Sequence, residues 1–237
     1  LKAPAPISAG YFDVVVAEST YGDRTHDSTP DEIAAVINRT ASRGGSVLIP
    51  AFAVDRTEVI LMALHDLVHQ TKIPQLPIYV DSPMAIAALN FYRDAVSKNT
   101  SEIRAGVSDF WANRDPFDTG LLHQALTSDD SKKISKLEST SIIISASGMA
   151  TGGRVVHHLE QMLPNPANTV ILVGYQAAGS RGRLLEEGVT ELKMHGNYIP
   201  VRAHIAKVES FSVHADGDEL IAWLRQADKP QTVYVVH

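Results

Sequence analysis

Glu18 closes an apolar run, "YFDVVVAES" (11–19), and His214 follows an alternating one in "KVESFSVHADGDEL" (207–220). Each sits where a strand gives way to a loop, and in α/β sheets ligands collect outside the carboxyl ends of strands. A carboxylate there can hold a histidine or cap its own loop. A histidine there can move a proton or satisfy a structural hydrogen bond. His237 ends a third such run, "QTVYVVH". If that strand lies beside the one bearing Glu18, both finish at one sheet edge.

A different chemistry is offered by "SASGMATGGRVVHHL", which lies between a strand and a helix and is rich in glycine and small hydroxyl residues. Backbone N–H groups at a helix N-terminus bind anions, and glycine lets a phosphate come close. Arg154 adds positive charge in the first helical turn. The spacing matches neither a Walker loop nor GxGxxG, which argues against a nucleoside triphosphate. A plain tight turn is the alternative. His157 and His158 point about 100° apart on a helix and cannot chelate one ion together. His158 reads as structural, while His157 keeps both readings open.

These residues need a scaffold. Helical periodicity marks "DEIAAVINRTASR" (Thr29 as N-cap, Pro30 at its start), "DRTEVILMALHDLVHQ", "MAIAALNFYRDAV", "GGRVVHHLEQML" and "GDELIAWLRQA". Strands are predicted at "SVLIPAF", "PIYVDSP", "TSIIISASG" and "NTVILVGY", as well as at the runs already named. Residues 97–136 read as short helices and loops. The stretch "TELKMHGNYIPVRAHIAKVESFSV" reads as two antiparallel strands joined at "GNY", and so as a second sheet. The alternation of strand and helix predicts α/β with a largely parallel sheet over roughly 45–180.

The chain's 237 residues suffice for one large or two modest domains. A net charge of -6 excludes a generally basic nucleic-acid coat, so any such contact must be a local groove. The absence of cysteine excludes disulfides and thiolate metal sites. No run is long and apolar enough for a membrane helix, and a cytoplasmic location is expected. There is no GxSxG nucleophile elbow.

Seven stretches carry a family likeness through their order: "ESTYGDR", "IPAFAVDRTE", "YVDSPMA", "SASGMATGGRVVHHL", "VGYQAAGSRGR", "ESFSVHADGDEL" and "VVH". Together they resemble the β-CASP branch of the metallo-β-lactamase superfamily. The likeness is greatest to its RNA-processing nucleases, akin to ribonuclease J and the endonuclease subunit of the cleavage and polyadenylation factor. It is weakest over 97–136. The resemblance implies a β-CASP domain over 24–208, with a mostly parallel sheet flanked by helices. That domain would be inserted into a metallo-β-lactamase αββα domain, of which 1–23 and 209–237 are segments.

By the same resemblance Glu18 is the motif A acid and His214 the motif B histidine. The two pair, and the histidine gives a proton to the leaving 3′ oxygen of RNA. His237 matches motif C, a ligand to one of two zinc ions that generate hydroxide and stabilise charge on the phosphate. The family's other ligands, an HxHxDH motif among them, are not in this sequence and would precede Leu1. The expectation is therefore a fragment that neither assembles a dinuclear site nor cleaves RNA alone. Arg56, Ser147, Gly148 and Arg154 are expected to hold RNA phosphates, with Arg181 and Arg183 as further candidates. RNA is the expected partner, and a homodimer is a second.

Some residues depart from the family pattern. Asp55 stands where a glycine is usual and Thr57 where glutamine is common, which questions the phosphate role of Arg56. Asp216 is expected to orient the motif B loop or its histidine. The alternatives to a ribonuclease are a non-catalytic RNA-binding or scaffold subunit and a DNA-directed β-CASP nuclease. His237 argues against the second.

Overall fold

A computed structural model describes residues 12–23, 30–101, 103, 106–111, 114–137, 139–208, 211, 214–226 and 228–236. Thr29 and His237 lie outside them. The chain divides into two units, one formed by Leu1–Asp27 with Ser212–His237 and the other by Ser28–Phe211.

The first unit contains β1 (Val14–Glu18), with its helix and second strand arriving only at the far end of the sequence. In the second unit come α1 (Pro30–Ser42), β2 (Val47–Pro50), α2 (Arg56–His69), β3 (Ile78–Asp81), α3 (Pro83–Ser97), α4 (Val107–Phe110), β4 (Leu122–Gln124), α5 (Ser128–Ile134) and β5 (Ile142–Ser145). They are followed by α6 (Arg154–Met162), β6 (Thr169–Val173), α7 (Arg181–Glu186), β7 (Glu191–Met194), β8 (Asn197–Pro200) and β9 (His204–Val208). The chain then returns to the first unit with α8 (Gly217–Leu224) and β10 (Thr232–Val236).

The second unit is built on a six-stranded sheet of order β4-β3-β5-β2-β6-β9, with every pairing parallel. Strands buried on both faces read as continuous apolar runs, and β2, β5 and β6 are buried throughout. Alternate side chains feed separate cores. Ile49, Ile144 and Ile171 join Ile33, Ile37, Ile60 and Leu64 from α1 and α2 on one face. Leu48, Ile143, Val170 and Leu172 join Val155 and Leu159 of α6 on the other.

The reading of 190–213 as one antiparallel pair needs correction. Only β7 and β8 form a hairpin, in the register Glu191↔Pro200 to Met194↔Asn197. β9 leaves it to pair in parallel with β6 at the sheet edge. Alternation reports which face a side chain occupies, not the direction of the neighbouring strand. Of the alternating run before His214, Val208 is the last residue of β9 and Phe211 lies in a turn, while 209, 210, 212 and 213 lie outside the described residues.

In the first unit β1 and β10 pair in parallel, from Val14↔Thr232 to Glu18↔Val236. Helix α8 begins at Asp216, which caps it. The Asp216 carboxylate accepts the Glu219 N–H at 2.9 Å, and Glu219 reciprocates by accepting the Asp216 N–H at 3.1 Å. Asp216 thus shapes the loop after His214 by capping the helix that follows it.

Candidate active site

Glu18 and His214 come together in the first unit. His214 Nδ1 lies 3.3 Å from Glu18 Oε2, with both side chains 34% exposed. The β1–β10 pairing brings the ends of the sequence side by side, and an isolated parallel bridge joins Tyr21 to Asp216. The carboxylate also accepts the Thr20 N–H at 3.0 Å and the Ala215 N–H at 3.2 Å. The Tyr21 ring tilts against the imidazole with centroids 6.0 Å apart.

Partial burial pushes the Glu18 carboxyl up, but hydrogen bonds from Thr20, the His214 charge and the Ala215 N–H outweigh it and hold the pKa below the ordinary value. Glu18 is thus an anion over the neutral range, set beside the His214 imidazole. Its carboxylate is already engaged by three partners, so Glu18 and His214 alone do not make a zinc cage. His237, the expected zinc ligand, lies one residue beyond the Val236 that faces Glu18 and outside the described residues.

The expected phosphate residues all belong to loops and helix starts at the carboxyl ends of β2, β5 and β6 in the second unit. Arg56, first residue of α2, is 3% exposed, and an added Cβ at Gly174 would lie 2.6 Å from its Nη1. Its guanidinium is enclosed against the loop after β6, and in this conformation it offers little surface to RNA. Asp55 before it adopts φ 63°, a left-handed conformation that favours glycine and so explains why glycine suits this position. The Asp55 carboxylate accepts the Tyr92 hydroxyl. Thr57 donates to the Phe52 carbonyl at 2.8 Å.

Arg154 has partners inside the protein. It donates to Asp81 Oδ1 at 2.7 Å, to the Ala125 carbonyl at 2.9 Å and to the Leu126 carbonyl at 3.3 Å. Asp81 is fully buried and also meets His158 Nε2 at 2.6 Å and the Ser131 hydroxyl at 2.5 Å. A buried carboxylate requires such donors, and Arg154, expected from the sequence to hold phosphate, is one of them. Asp81 escaped the sequence reading although it ends β3 much as Glu18 ends β1. Its partners Ser131 and His158 lie 50 and 77 residues away.

The remaining candidates border the loop between β5 and α6. Ser147 Oγ lies 3.1 Å from Thr151 Oγ1 and accepts the Thr151 N–H at 3.1 Å. Gly148 is buried against Phe52, where an added Cβ would meet the ring at 3.0 Å, and its carbonyl accepts Gln176 Nε2 at 3.2 Å. Arg181 donates to the carbonyls of Lys193, Ala150 and Thr151. Arg183 is more open and pairs with Glu187 at 2.7 Å.

Glu58, one helical residue beyond Thr57, is 2% exposed, and neither carboxylate oxygen finds a hydrogen-bond donor among the described residues. Burial, reinforced by the Asp55 charge, pushes its pKa from 4.5 to about 7. A carboxyl whose pKa rises on folding costs nothing below the unfolded value and most above the folded one. Stability should therefore fall as pH rises from 4.5 to about 7, by about 3 kcal/mol from this group. Glu58→Gln is expected to remove that slope. Urea denaturation of both proteins at the two ends of the window checks it, and equal slopes would refute it.

The sequence matches two domain families. The Beta-Casp domain family matches residues 57–185, over half of the chain, and the Zn-dependent metallo-hydrolase RNA specificity domain family matches 198–237. Ribonuclease TTHA0252 of Thermus thermophilus is 36% identical over 98% of this chain and 53% of its own length. An RNase J-like protein of Methanocaldococcus jannaschii is 34% identical over 99% of this chain and 54% of its own. Transcription termination factor FttA of Pyrococcus abyssi is 34% identical over all of this chain and 38% of its own. The chain thus spans about half or less of the length of the curated relatives it matches. Strand ends, loop order and family matches converge on one conclusion: this chain belongs to the β-CASP branch of the metallo-β-lactamase superfamily.

Proposed function

We propose that the whole protein is a zinc-dependent RNA-processing phosphodiester hydrolase. This chain would supply its β-CASP domain, Glu18 and His214 of the catalytic centre, and the zinc ligand His237. The observation that carries the proposal is the 3.3 Å approach of His214 to Glu18 from opposite ends of the sequence. A histidine held beside an anionic carboxylate can protonate the leaving 3′ oxygen of a cleaved RNA strand. Zinc, when bound, supplies hydroxide and neutralises the charge that builds on the phosphate. A substrate-binding role for the second unit rests on Ser147, Gly148, Arg181 and Arg183 near the carboxyl ends of the parallel strands. Arg154 acts there by positioning the loop through Asp81, and Arg56 by bracing the loop after β6. The names of the ribonuclease relatives support RNA as the substrate class.

The test is a comparison of labelled single-stranded RNA and DNA of one sequence, each incubated with the whole protein and zinc. Cleavage of RNA with DNA left intact is expected. RNA retained without cleavage would replace this function with a scaffold role, and equal cleavage of DNA would reassign the substrate.

A further inference from the structure

We propose a transition-metal site on the second unit, formed by His157, Glu160 and His195, separate from the Glu18–His214 pair. One candidate ligand atom from each of the three residues lies within 4.8 Å of the other two. His195 Nδ1 is already 3.0 Å from Glu160 Oε2. Two donors held about 2.1 Å from a tetrahedral ion stand roughly 3.4 Å apart, so this pair is nearly at ligand spacing. The His157 ring stacks on His195 with centroids 4.6 Å apart and an interplanar angle of 24°. His157 is exposed, and one of its ring nitrogens already lies within 4.8 Å of the ligand atoms of Glu160 and His195.

The backbone sets this arrangement. His157 and Glu160 are three apart on α6 and share a face. His195 and Gly196 form the two-residue turn of the β7–β8 hairpin, with φ 46° and 86°. Positive φ at both positions is the signature of a type I′ turn, whose first residue is most often Asn, Asp or Gly. A histidine accepted there is held on the hairpin tip facing α6.

Both supports are rigid. Leu192 and Met194 of β7 are buried in the same core as Val155, Val156 and Leu159 of α6. Arg181 ties Lys193 of the hairpin to Ala150 and Thr151 of the loop before α6. A cleft of about 340 Å³, lined in part by Thr151, Gly153, Arg154, His157, Arg181 and His195, lies beside the cluster. It leaves room for water at a fourth coordination position.

Two imidazoles and one carboxylate select zinc or a neighbouring first-row ion over magnesium or calcium, which favour all-oxygen shells. The bound ion would cross-link the hairpin tip to α6, replacing a single exposed ion pair with three coordinate bonds. The proposal does not depend on the nuclease reading, because it concerns binding alone.

The test uses cobalt(II) as a spectroscopic stand-in for zinc, titrated into the full chain. Visible d–d absorption of tetrahedral type should saturate, and zinc should compete it away. His195→Asn keeps a residue suited to the turn, and His157→Gln keeps helix propensity. Each should weaken cobalt binding by more than about 10-fold, the scale on which even second-shell changes act. His214→Ala should leave this signal unchanged. Zinc should raise the thermal midpoint of the wild-type chain by several degrees, but that of His195→Asn by less. Unchanged cobalt affinity in both folded variants, or loss of the signal in His214→Ala, would overturn the proposal. So would failure of the wild-type chain to bind cobalt at millimolar concentration.

Discussion

His214→Ala in the whole protein is expected to slow RNA cleavage by about 10²- to 10⁴-fold, the usual contribution of a positioned acid or base. RNA affinity should stay within about 3-fold of wild type, because the phosphate-binding candidates lie on other residues. The pair is well defined: Glu18 is fixed by two backbone N–H groups and carries its charge across the neutral range. Glu18→Gln should give a smaller loss, since the amide keeps the shape and removes only the charge. It should also shift the pH profile, which a merely structural glutamate would leave in place. Single-turnover cleavage and equilibrium binding on one RNA separate the two effects. Near-normal turnover in His214→Ala would remove the proton-donor role.

Asp81→Ala is expected to destabilise the second unit by about 3–5 kcal/mol, the range for breaking a buried ion pair by removing one partner. The carboxylate holds Arg154, His158 and Ser131 together, and deleting it leaves all three without their common acceptor. Burial alone would push the Asp81 pKa up, but hydrogen bonds from His158, Ser131 and Arg154 outweigh that and depress it. Because the folded pKa lies below the ordinary value of 3.8, the contribution is whole above that pH and is lost as pH falls through the folded value. Asp81→Asn should show the loss at neutral pH and little further loss in acid. Denaturant midpoints at pH 7 and in acid measure both, and a neutral-pH loss under about 1 kcal/mol for Asp81→Ala would contradict the account.

Most of the scaffold was legible because buried parallel strands and amphipathic helices carry strong local signals. Val47–Pro50, Ile142–Ser145 and Thr169–Val173 are apolar runs bounded by turn residues, and they form the middle of the sheet. Its edges were harder. β4 is three residues of mixed polarity, "LHQ", and its strand character comes from pairing with β3 rather than from its own pattern. β9 alternates as well in a parallel pair as in an antiparallel one, so its neighbour could not be read locally.

The candidate site divides the same way. Glu18 and His214 stood out because each lies within a recognisable motif, Glu18 at the end of β1. The fate of Arg154 depended on Asp81, 73 residues earlier, and that of Arg56 on the enclosing loop at Gly174. Arginine chemistry alone does not tell an internal brace from a ligand hook. His195 gave no signal until the turn and α6 were placed side by side.

The parallel pairing of β1 with β10 also bears on the order in which the molecule is made. The Ala215 N–H that binds Glu18 is 197 residues further along the chain. Closing so wide a loop in an unfolded chain is entropically costly, whereas a folded insert shortens the span that must be searched. During synthesis the insert emerges in full before His214, and domains generally fold as units in that order. The Glu18–His214 pair is therefore among the last contacts to form. A nascent chain released early would carry a folded β-CASP domain and Glu18 but no His214, so premature termination yields a product that cannot complete the pair.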